Sequence, residues 1–127
     1  MKKITLYLSA LILLSFTIQQ FSETNLIGKW KIIKIKNNVG SEIGASAFYG
    51  QTFTYKNDHT IVHFNPENSL YKEQTGKWEL VENIIYHYDD EQEKNQFGKI
   101  IKLNHTEFVV EQTKDKIVTT IFYKRIK

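Results

Sequence analysis

The chain has 127 residues, enough for one domain and too few for two. It holds no cysteine, which excludes disulfide staples, thiolate catalysis and cysteine-based zinc or iron–sulfur sites. The formal net charge is +3, from 17 basic and 14 acidic residues, and no basic stripe with interleaved aromatics is present, so nucleic acid is not an expected partner.

The N-terminus reads as a targeting leader. Lys2 and Lys3 supply the positive start, and residues 4–18 form an uncharged apolar run. That length suits the core of a signal peptide and is short of the roughly 20 residues a bilayer-spanning helix needs. We therefore expect a signal peptide over residues 1–22, adopting a helix, followed by a domain over residues 23–127. The expected localisation is exported, periplasmic or secreted, with no stable membrane insertion after cleavage. Lipid anchoring of the lipoprotein kind needs a cysteine after the apolar core and is excluded. Losing Lys2 and Lys3 takes the basic count to 15 against 14 acidic residues, so the mature charge says little about partners.

Beyond residue 23 the apolar pattern has period two rather than 3.6. Residues 26–36 alternate apolar and basic, with Trp30 and Ile32 on one face and Ile33 and Ile35 on the other, which predicts a bulge near Ile32 and Ile33. In residues 49–56, Tyr49, Phe53 and Tyr55 share a face. A turn at residues 57–59 leads into a return strand over residues 60–65, with Val62 and Phe64 assigned to the core side. Pro66, the single proline, falls in the following break. Further strands are expected at residues 70–80, 84–88, 97–103, 106–112 and 117–126, joined by short polar connections suited to hairpins. Residues 39–48 fit a short helix, a loop or a lid over one mouth. The fold class is all-β: eight strands in a small antiparallel up-and-down barrel, a number whose interior is filled by side chains or holds one small ligand.

Two stretches carry a motif. Leu26-Ile27-Gly28-Lys29-Trp30-Lys31-Ile32 opens the first strand, and Gly76-Lys77-Trp78-Glu79-Leu80 lies at mid-chain. The two Gly-x-Trp copies, with the leader and the strand count, resemble the short bacterial lipocalin-like domain family. The resemblance implies a barrel-closing role for Gly28, Trp30, Gly76 and Trp78. It also implies that an arginine in the last strand covers the first indole, and Arg125 is the one arginine in the chain. A guanidinium stacks on an indole better than an ammonium does. The Thr-Asp-Tyr motif of larger lipocalins is not matched by Tyr88-Asp89-Asp90, which points to a compact barrel with a small cavity rather than a deep cup.

No nucleophile–base pair, nucleotide-binding loop or metal-ligand cluster stands out, so neither enzyme activity, a cofactor nor a metal is expected. His59 and His105 fall in turns. His63 and His87 fall in strands, on the faces assigned to solvent. The aromatics are the best candidates for function. Tyr49, Phe53, Tyr55, Phe64, Tyr86, Tyr88 and Tyr123 are read as lining an apolar pocket with hydroxyls as polar anchors. The expected function is binding of a small hydrophobic ligand in or at the mouth of the barrel, near residues 39–48. The alternative is a structural or protein-interaction domain of the cell envelope with a side-chain-filled barrel and a protein partner of unknown identity.

Overall fold

The computed structural model describes residues 21–48, 50–70, 72–88 and 91–126. The expected signal-peptide helix lies outside them, apart from Phe21 and Ser22. These two residues take part in the domain: Phe21 packs against the core, and the Ser22 hydroxyl accepts from the Thr24 N–H at 3.2 Å. Ser22 thereby N-caps the short helix α1 (Glu23–Leu26). No helix among the described residues is long and apolar enough to cross a membrane.

Nine strands follow among the described residues: β1 (Gly28–Asn37), β2 (Glu42–Gly44), β3 (Thr52–Tyr55), β4 (Thr60–Phe64), β5 (Glu73–Val81), β6 (Ile84–Tyr88), β7 (Lys94–Leu103), β8 (Glu107–Lys114) and β9 (Ile117–Ile126). All neighbours are antiparallel. The order β1-β3-β4-β5-β6-β7-β8-β9 closes through a β1–β9 ladder, which makes an eight-stranded barrel. The ninth strand, β2, pairs only with the far half of β1, Ile35 opposite Ile43. Residues 39–48, which the sequence left open between a short helix, a loop and a lid, form a turn, the short strand β2 and a one-turn 3₁₀ helix (Ala45–Phe48).

Local chemistry explains the closure. β1 pairs with β9 from Lys29 opposite Ile126 to Asn37 opposite Thr119, and its register slips between Ile32 and Lys34. Ile33 is the extra residue, so the bulge sits where the apolar alternation changes face, and it adds the local bend a small barrel needs. The β8–β9 hairpin turns on Asp115 and Lys116, both at positive φ, the backbone that suits a two-residue turn between right-twisted strands. At Gly98 a Cβ would collide with the Val110 side chain, so glycine there lets β8 approach β7.

Up-and-down order places α1, the β3–β4, β5–β6 and β7–β8 turns and the end of β9 at one end of the barrel. That half is filled. Leu26, Trp30, Tyr55, Trp78, Ile85, Ile100, Phe108 and Val110 are all less than 2% exposed. Rings interlock there: Trp30 lies 5.4 Å from Phe108, Tyr55 5.4 Å from Trp78, and Phe108 4.7 Å from Tyr123. Such contacts add to the burial energy of large aromatic side chains.

Candidate functional site

The half of the barrel toward the opposite mouth is not filled. A cavity of about 620 Å³ is lined by Phe53, Ile61, His63, Gln74, Thr75, Gly76, His87, Tyr88 and Phe97. Strand register decides who enters it. On β3, Phe53 and Tyr55 point inward, and their partners across the ladder are His63 and Ile61. Ile61 and His63 pair in turn with Gly76 and Gln74 on β5. Trp78, two residues after Gly76, pairs with His87 on β6. Partners directly across a ladder share a face, so one inward indole brings a histidine in with it. Phe97 arrives by another route. The β6–β7 register jumps from Tyr86–Gln96 to Ile85–Gly98, which makes Phe97 the bulged residue and turns its ring into the barrel. The Gln112 side-chain amide donates to the Phe97 carbonyl at 2.7 Å and holds the bulge.

Both histidines are sandwiched against phenylalanine. His63 stacks on Phe53 with centroids 4.4 Å apart and planes 6° apart. His87 stacks on Phe97 at 4.3 Å and 20°. Burial disfavours the imidazolium in each case. It lowers the pKa of His63 below its ordinary value and that of His87 to about 4. Each ring also has a polar partner among the described residues: His63 Nε2 lies 3.0 Å from Gln51 Oε1, and His87 Nε2 lies 3.1 Å from the Tyr55 hydroxyl. Tyr55 is 1% exposed, and burial pushes its phenol pKa up, so it remains an O–H.

The filled end is sealed by one guanidinium. Arg125 lies over the Trp30 ring at 4.3 Å. Its Nε donates to the His105 carbonyl at 2.7 Å, and its two terminal nitrogens donate to the carbonyls of Ile27 and Asn25 at 2.8 and 2.5 Å. The Trp30 indole N–H donates to Leu26 O at 2.8 Å. Gly28 sits at φ 142, and a Cβ there would meet the Arg125 guanidinium. The second indole is held by Lys56 O at 3.1 Å and faced by the His59 ring at 4.6 Å.

A model of the lipocalin-like domain matches residues 26–110, about two thirds of the chain. The chain belongs to the lipocalin-like domain family. No curated protein and no solved structure gives a significant match. A barrel of this family suggests a ligand-binding domain, and the cavity between β3 and β7 is where this lipocalin-like domain has room for one. A second, smaller space of about 460 Å³ lies where β1 and β3 part, beneath the 3₁₀ turn, with Ile32, Phe48 and Gln51 among its walls.

Of the residues read as pocket-lining, the lipocalin-like domain brings Phe53 to the cavity and puts Tyr55 beneath it. Tyr123 is buried in the core, edge-on to Phe53 at 5.8 Å. Tyr49 lies outside the described residues. Phe64 faces outward and is 39% exposed, because Ile61 and His63 take the inner face of β4. Tyr88 does line the cavity, at its rim, whereas the register that pairs Trp78 with His87 puts Tyr86 opposite Glu79 and away from the interior, which corrects the face assigned to Tyr86. The Tyr88 hydroxyl, though its residue borders the cavity rim, donates to Glu79 Oε2 at 2.7 Å. Lys94 meets the same carboxylate at 3.2 Å and lies over the Tyr86 ring at 4.3 Å. These two hydrogen bonds hold the Glu79 carboxyl below its usual range, and the bond to Glu79 raises the Tyr88 phenol.

His63, His87, Gln74 and Phe97 were missed as lining residues. The signal for His87 was present. A two-residue loop at Glu82 and Asn83 makes Val81 and Ile84 partners, and counting back from them pairs Trp78 with His87. Reading Val81 as part of the turn shifts the count by one and exchanges the faces. Among the described residues no group of three or more histidines, aspartates and glutamates is placed to hold a metal ion.

Proposed function

We propose that this lipocalin-like domain is an exported, non-enzymatic binding protein that holds a small hydrophobic molecule in the cavity between β3 and β7. The observation that carries the reading is the contrast between the two ends of one barrel. Trp30, Trp78 and Phe108 fill one end, while about 620 Å³ beside Phe53, Ile61 and Phe97 stays open toward the other. That volume lies within the range of small-molecule sites, and its walls join the apolar Phe53, Ile61 and Phe97 to the polar His63, Gln74, Thr75 and His87. The leader at residues 2–18 supports export.

The test is titration of the purified domain with N-phenyl-1-naphthylamine, an uncharged dye that brightens in apolar surroundings. Saturable brightening is expected. Phe53→Ala and Phe97→Ala should weaken it about tenfold, which corresponds to roughly 1.4 kcal/mol. Tyr86→Ala, on the outer wall, should leave it unchanged. Absence of saturable brightening, or equal weakening by Tyr86→Ala, overturns the reading.

A further inference from the structure

The cavity has a polar code of its own. None of its lining residues is aspartate, glutamate, lysine or arginine, so a charged ligand would lose its hydration and find no counter-charge there. The polar capacity rests on two imidazoles, and their partners fix which nitrogen carries the proton. Gln51 Oε1 is an amide oxygen and only accepts, so His63 Nε2 carries hydrogen and donates to it. The neutral ring is then left with a bare, accepting Nδ1. The Tyr55 hydroxyl is buried and has His87 Nε2 as its polar partner among the described residues. A buried donor without an acceptor is costly, so the hydroxyl donates to His87. Its Nε2 is therefore bare, and Nδ1 carries the hydrogen. No buried side-chain nitrogen or oxygen among the described residues lacks a partner. The two free Nδ1 atoms are therefore accessible, on rings that both line the cavity.

We infer that the cavity selects an uncharged, planar, largely apolar ligand bearing a neutral head group that both accepts and donates a hydrogen bond, such as a primary amide. His87 Nδ1–H would donate to its oxygen, His63 Nδ1 would accept from its nitrogen, and the two His–Phe stacks would flank its plane. The inference rests on the binding reading above and adds the class of ligand.

The test compares three probes on one aromatic frame: naphthalene, 2-naphthamide and 2-naphthoate, each displacing N-phenyl-1-naphthylamine at pH 7.5. The expected order is amide tightest, at least tenfold over the hydrocarbon, with the carboxylate weakest. His63→Phe and His87→Phe, which keep a ring against Phe53 and Phe97, should each erase most of the amide's advantage while dye binding persists, which also shows that the variants fold. Dye binding with no amide preference, or with the carboxylate equal to the amide, overturns the ligand class and leaves the binding reading standing. Failure of the dye and all three probes on the wild-type domain overturns both. An amide preference that survives both substitutions overturns the assignment to the histidines.

Discussion

Replacing Arg125 with alanine removes three hydrogen bonds to backbone carbonyls and a cation–π contact at once. The magnitude follows from where each contact lies. The bond to His105 O is exposed and contributes least, while those to Ile27 O and Asn25 O are partly buried. A net hydrogen bond contributes roughly 0.5–1.5 kcal/mol, and more with a charged partner. A partly desolvated guanidinium over an indole adds about 1 kcal/mol. Allowing for the entropy of holding a long side chain, the expected loss is about 3 kcal/mol for Arg125→Ala. In a domain of this size that corresponds to roughly 15 °C in Tm. Arg125→Lys keeps the charge but lacks the planar fork that reaches three carbonyls, so it should recover less than half of the loss. Urea unfolding followed by tryptophan fluorescence measures both. The Trp30 contribution should also shift to longer wavelength in Arg125→Ala, because the ring loses its cover. A loss under about 0.5 kcal/mol, the size of an ordinary surface substitution, would refute a sealing role. A lysine variant equal to wild type would show that charge alone matters.

Gly28→Ala should be costly for two reasons, its φ of 142 and the collision of a Cβ with the Arg125 guanidinium; a loss of about 2–3 kcal/mol in urea unfolding is expected. Gly76→Leu should instead leave the fold intact, since a Cβ there makes only ordinary contacts, 3.4 Å to Tyr88 O and 3.7 Å to Ile61. The added side chain enters the cavity, so dye binding should fall at least tenfold with Tm nearly unchanged. For pH, burial depresses the folded-state pKa of His87 to about 4 from the ordinary 6.5. The unfolded chain therefore binds its proton first, and stability that is full above pH 6.5 is lost as pH falls toward 4. At 1.36 kcal/mol per unit the limit is about 3 kcal/mol. His63 shifts in the same direction. Urea midpoints at pH 7 and pH 4 should differ, and His87→Phe should remove most of the difference.

Strand positions were largely legible because period-two alternation directly reports a half-buried sheet. The bulge at Ile33 was legible as well, since a change of face leaves two apolar residues in succession. Faces were harder to read where both sides of a strand look apolar. In β6, the two rings of Tyr86 and Tyr88 with Ile84 offer more apolar surface than Ile85 and His87, yet the hairpin register puts the second pair inside. In β4 the same competition set Val62 and Phe64 against Ile61 and His63. A strand's own composition loses to its partner's register, because the inward indole and ring of the neighbouring strands are the more demanding groups to bury. Phe97 depends on a bulge in β7 that nothing local announces. The strand β2 is three residues of modest β propensity, held by pairing to β1 rather than by its own pattern.

An eight-stranded barrel can fill itself with side chains, so a cavity in one requires inward positions that give up packing. Here these are Gly76, which brings no side chain, and Gln74, His63 and His87, which bring polar atoms in beside Phe53, Ile61 and Phe97. The two histidines should respond oppositely to removal of that polarity. His63 Nε2 serves Gln51, whose side chain is partly exposed and can return to water. His63→Leu should therefore be neutral or raise stability by about 0.5–1 kcal/mol, since a buried polar ring is exchanged for an apolar side chain. His87→Leu removes the acceptor of the Tyr55 hydroxyl, 1% exposed, and an orphaned buried donor costs about 1–3 kcal/mol. It should destabilise the domain, and Tyr55→Phe added to it should restore most of the loss. Stabilisation by His63→Leu together with weaker 2-naphthamide binding would mark His63 as a residue kept for its ligand rather than for the fold. Destabilisation by His63→Leu as large as that by His87→Leu would instead place both histidines among the groups that hold the barrel together.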